Sequence, residues 1–93
     1  MQYDVKSAYT ESDAALVAYR TRIKALFFAV ASAGTDPIIV YDNASAASGN
    51  VLLKVGTTGV GGNTILIPGE GILAQNGLYV DTGDADSVTV FYG

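Results

Sequence analysis

Short β-prone runs separated by Gly, Asn, Asp and Pro extend along almost the whole chain. Gln2 to Tyr9 alternates loosely, with Tyr3, Val5 and Ala8 among polar neighbours, and Glu11-Ser-Asp13 has turn composition. Ala14 to Tyr19 and Arg22 to Ser32 form the longest apolar stretch, closed by the turn signal Gly34-Thr-Asp-Pro37. Pro37 to Tyr41 is β-branched and aromatic, Asp42 to Asn50 is a small-residue loop, and Val51 to Val55 is again β-prone. Gly56 to Asn63 is a Gly-rich loop, followed by a strand from Thr64 to Ile67 that Pro68 stops. Gly71 to Ala74 and Leu78 to Asp81 flank Gln75-Asn-Gly77, and Asn-Gly favours a tight hairpin. Thr82 to Asp86 is a turn before a closing strand from Val88 to Tyr92.

One segment, residues 14–31, fits two periods. Leu16, Tyr19, Ile23, Leu26 and Val30 have helical spacing, with Ser12 as cap and Gly34 as terminator. Ile23, Ala25, Phe27 and Ala29 also alternate, as a strand would. Every neighbouring segment has strand character, which favours the strand. The expectation is therefore one all-β domain over residues 1–93, an antiparallel sandwich or jelly roll of about eight strands. The inward faces expected to form the core are Val17, Ile23, Phe27, Ile39, Tyr41, Leu53, Ile65, Ile67, Ile72, Tyr79, Val88 and Val90.

Composition narrows the function classes. The chain has 93 residues, 49% of them hydrophobic and only 15% charged. Ordinary soluble domains carry about 25% charged residues. A domain this short buries roughly 60–65% of its unfolded surface, so association with other chains would add stability. Low charge points the same way, toward apolar surface covered by copies of itself or by a larger assembly. Net charge is −4 and no basic cluster is expected, which argues against nucleic-acid binding. Asp4, Lys6 and Glu11 interrupt any secretory leader pattern, and the apolar run Ala25 to Ala31 is too short to span a bilayer.

His and Cys are both absent, which removes Ser-His-Asp and Cys nucleophile chemistry, the usual zinc ligand sets and any disulfide framework. Asp81, Asp84 and Asp86 could suggest a calcium loop, but the spacing does not match one, and turn Asp residues commonly bind backbone N–H groups. Gly56-Thr-Thr-Gly-Val-Gly-Gly62 lacks the Gly-Lys-Ser/Thr ending of a phosphate loop. Glu70, between two glycines, is a lone carboxylate without a partner acid for glycoside hydrolysis. No catalytic, cofactor or metal site is expected. The six tyrosines are core, half-buried sheet or interface candidates.

Ile67-Pro-Gly-Glu-Gly-Ile72, Leu78-Tyr-Val-Asp81 and Ser87-Val-Thr-Val-Phe-Tyr-Gly93 together resemble a group of very short proteins encoded among virion genes of tailed bacteriophages. Arg22-Ile-Lys-Ala-Leu-Phe-Phe28 is similar to the long strand of that group, and Ile38 to Asn43 to the strand and polar turn after it. The likeness runs from Arg22 onward. It implies a small β-sandwich structural protein made in the host cytoplasm and carried in the virion. The expected role is that of a capsid-associated cement or decoration protein. Its expected partners are further copies of itself, three around a local threefold, and the major capsid protein or other virion proteins. Tyr3, Tyr9, Tyr19, Phe91 and Tyr92 are the interface candidates. A receptor- or carbohydrate-binding module of a fibre or tail is the alternative.

Overall fold

β-branched and aromatic runs between turn residues produce nine strands among the described residues, 5–93 of the computed structural model. They are β1 (Lys6–Thr10), β2 (Ala14–Val17), β3 (Thr21–Val30), β4 (Ile38–Tyr41), β5 (Val51–Val55), β6 (Gly61–Leu66), β7 (Ile72–Ala74), β8 (Leu78–Asp81) and β9 (Ser87–Tyr92). No helix occurs among the described residues, so the stretch 14–31 forms β2 and β3. No described helix is therefore long and apolar enough to cross a membrane.

All pairings among the described residues are antiparallel. One sheet has the order β1-β9-β3-β6, with β7 also paired to β3, and the other has the order β2-β8-β4-β5. β6 and β7 occupy one side of β3 in succession, β6 along Ala25–Val30 and β7 along Thr21–Ile23. Counted as one interrupted strand, they give the eight-strand wiring of a jelly-roll sandwich. The expected sandwich class holds, and the strand count differs only through this interruption.

The core lies between the sheets. Val17, Ile23, Leu26, Phe28, Val30, Ile38, Val40, Leu78, Val80, Val88 and Val90 are buried. Leu53, Ile65, Ile67 and Ile72 pack around them half-exposed. Each fully buried Val, Leu or Ile stabilises the fold by about 1.5–3 kcal/mol relative to exposure.

Four expected core residues lie on outer faces. Phe27 is 39% exposed and its neighbour Phe28 is buried. The cause is a β-bulge in β3. Ile23 pairs with Tyr92 and Ala25 with Phe91, so Lys24 is an extra residue opposite β9. One extra residue inverts the alternation, and the inward set changes from Thr21 and Ile23 to Leu26, Phe28 and Val30. Ile39, Tyr41 and Tyr79 are half-buried, while Ile38, Val40, Leu78 and Val80 fill the interior. Both phases of these strands are apolar at most positions, so alternation alone did not choose between them.

The expected Asn-Gly hairpin is absent. β7 belongs to the larger sheet and β8 to the smaller, so Gln75-Asn76-Gly77 carries the chain across the sandwich. The Asn76 N–H donates to the buried Asp42 carboxylate at 2.7 Å. Gly77 has φ +147°, and a Cβ there would lie 2.2 Å from the Val17 carbonyl oxygen. Asn76 itself has no positive φ, unlike the residue of a type I′ turn. The Gly-rich loop is also shorter than expected, because Gly61 to Asn63 pair with Phe28 to Val30 as part of β6.

Candidate interaction surfaces

The outer face of the larger sheet is read directly from its register. Tyr9, Thr89, Phe27 and Thr64 form one row across β1, β9, β3 and β6. Ser7, Phe91, Ala25 and Leu66 form the adjacent row. Neither row contains a charged side chain. Tyr9 is 61% exposed, Leu66 78% and Phe27 39%, while Ala25 is buried between larger neighbours. The Phe27 ring leans over Gly62, where an added Cβ would lie 3.2 Å from its Cζ. The bulge at Lys24 creates this face, because a regular β3 would turn Phe27 inward and Phe28 outward.

Of the interface candidates, Tyr9 and Phe91 therefore share this face. Tyr3 lies outside the described residues. Tyr19 and Tyr92 meet elsewhere. Tyr92 is on the inward phase of β9, at the margin of the core, and it lines one depression with Tyr19 from the turn between β2 and β3. Burial first, then interaction with Tyr19, raises the Tyr92 phenol above its ordinary pKa.

A depression of about 180 Å³ surrounds this pair, lined by Lys6, Tyr19, Arg20, Thr21, Arg22, Tyr92 and Gly93. Three of the five basic residues converge there, and among the described residues no acidic side chain lines it. Arg20 and Arg22 are two positions apart, but Lys6 is distant in sequence, so the three form no basic run. Pairing of β1 with β9, which carries Lys6 to Tyr92, is what brings them together.

The acidic turn residues hold the loops. Asp81 accepts from the Gly83 N–H at 3.0 Å, Asp84 from the Asp36 N–H at 2.9 Å and Asp86 from the Ala31 N–H at 2.7 Å. Asp13 accepts from the N–H and hydroxyl of Thr82 at 2.9 and 3.1 Å. Among the described residues, no group of three or more His, Cys, Asp or Glu side chains is placed to hold a metal ion. The Gly-rich loop is tied down at buried Thr57, whose hydroxyl donates to the Asp36 carbonyl at 2.7 Å. Glu70 is exposed, and its carbonyl accepts from Lys24 Nζ at 3.0 Å. These contacts account for the residues in structural terms. No family model, curated protein or solved structure matches the chain.

Proposed function

We propose that this chain is a non-enzymatic structural protein of a tailed-phage virion, bound to the capsid as an oligomeric cement or decoration protein. The observation that carries the reading is the pair of uncharged rows on the outer face of the larger sheet, which hold Tyr9, Phe27, Leu66 and Phe91. The motif resemblance from Arg22 onward supports it, and jelly-roll wiring is common among viral capsid domains. Seated across neighbouring capsid subunits, this face would exclude water and raise the cost of separating them. Its central aromatics would carry most of the binding energy.

The test has two parts. Mass spectrometry of particles purified from the phage that carries the gene should detect the chain. Purified chain should also bind particles that lack it, and Phe27→Asp should weaken binding by about 30-fold, the equivalent of a hot-spot loss of roughly 2 kcal/mol. Absence from the particles, or unchanged binding by the variant, would sink the reading.

The depression beside Tyr19 and Tyr92 favours a second reading, a receptor- or carbohydrate-binding module. Two phenol rings offer surfaces for sugar, and Lys6, Arg20 and Arg22 suit acidic saccharides. Glycan-array binding that disappears in Tyr19→Ala would favour this over capsid binding.

A further inference from the structure

β6 is a terminal strand of the larger sheet. Its outward hydrogen-bonding groups follow from one contact. The Ile67 N–H donates to the Lys24 carbonyl at 3.1 Å. Bonded and non-bonded pairs alternate along an antiparallel ladder. Gly61, Asn63 and Ile65 therefore face β3, and Gly62, Thr64 and Leu66 turn their N–H and C=O groups to the free edge.

Proteins blunt such edges with charge, proline or brevity. β1 carries Lys6, β5 carries Lys54, β7 has three residues, and β2 is irregular opposite β8 and follows Asp13. β6 has none of these devices. From Val55 to Gly69 the chain contains no ionisable side chain, so two copies of an acidic protein can approach there without local repulsion.

We infer that β6 pairs with β6 of a second copy of this chain about a twofold axis perpendicular to the sheet. Such an axis keeps the outer face continuous and pairs residues of the same phase. With Thr64 opposite Thr64 of the second copy, Gly62 lies opposite Leu66. Every outward N–H and C=O of Gly62, Thr64 and Leu66 then has a partner. Leu66 of the second copy lies over Gly62, beside the Phe27 ring that already leans there. The ladder ends where Pro68, which has no N–H, would come next. This self-complementarity selects a second copy over an unrelated peptide. It names a partner for the association proposed above. Mass and particle binding are separate readouts, so either proposal can fail alone.

Light scattering after size exclusion should give twice the 9.6 kDa chain mass. Thr64→Pro removes an N–H that faces the free edge and no hydrogen bond between β6 and β3, and it should halve that mass while the β circular dichroism persists. Because the chain has no cysteine, Thr64→Cys can form only an intermolecular disulfide. Opposed bonded residues have Cα atoms about 5.5 Å apart, within the range that disulfides span. Mild oxidation should link Thr64→Cys into a dimer and leave the control Ser7→Cys mostly unlinked. A single or triple mass for the natural chain would overturn the inference. So would a folded Thr64→Pro dimer, or equal linkage of the two cysteine variants; if Thr64→Pro does not fold, the cysteine pair decides.

Discussion

Phe27 and Phe28 are adjacent and chemically identical, yet they serve different ends. Phe28 is 4% exposed within the core, and Phe28→Ala should cost about 3–5 kcal/mol in denaturant unfolding. Phe27→Ala, on the open face, should cost under about 1.5 kcal/mol while weakening any association through that face. Tyr92 supplies a test in pH. Its phenol has a raised pKa when folded, so the unfolded chain ionises first as pH rises. The unfolded state then binds fewer protons, and stability must fall with increasing pH from about pH 10, the unfolded value, upward through the folded pKa. Tyr92→Phe should flatten that alkaline loss in thermal melts between pH 9 and 11. An identical alkaline slope in the variant would remove Tyr92 as its source.

Elements are governed by where the alternation breaks. The sandwich was legible because turn residues divide β-prone runs at regular intervals. The inner face of β3 was not, because the bulge at Lys24 depends on the register with β9, a strand distant in sequence. In β8 a local signal was present. Asp81 shares the phase of Tyr79, and a carboxylate belongs outside, so Leu78 and Val80 had to face inward. The destination of Gly77 was not written locally either, since Asn-Gly suits a hairpin as well as a crossing between sheets. Gly77→Ala should destabilise by about 2–4 kcal/mol, because the new methyl meets the Val17 carbonyl in a backbone conformation that disfavours side chains. Gly56→Ala, with no atom within 4 Å of the new Cβ and no positive φ, should change stability by less than about 1 kcal/mol. Equal losses from both would refute the steric argument. The surfaces were less legible than the fold. Tyr9 and Phe91, two of the interface candidates, lie on one outer face, whereas Lys6 joins Arg20 and Arg22 at the depression only when β1 meets β9.

At the scale of the molecule, β8 lies between β2 and β4, and β9 lies between β1 and β3. The two strands latest in this sandwich's sequence order are thus interior members of their sheets. A ribosome that has reached Asn76 has produced every outer strand, with β3 and β4, but neither of the strands that join them to β1 and β2. Until β8 and β9 emerge, β1 to β7 expose unpaired strand edges in a chain with little charge to keep copies apart. Folding is therefore expected only after synthesis of Ser87–Tyr92, in the milliseconds-to-seconds range typical of non-local β topologies. A fragment of residues 1–76 should lack cooperative unfolding by circular dichroism. If it melted cooperatively, an order of assembly other than late insertion would be required. The wiring that makes the finished sandwich continuous thus leaves its earlier strands vulnerable until the later two have emerged.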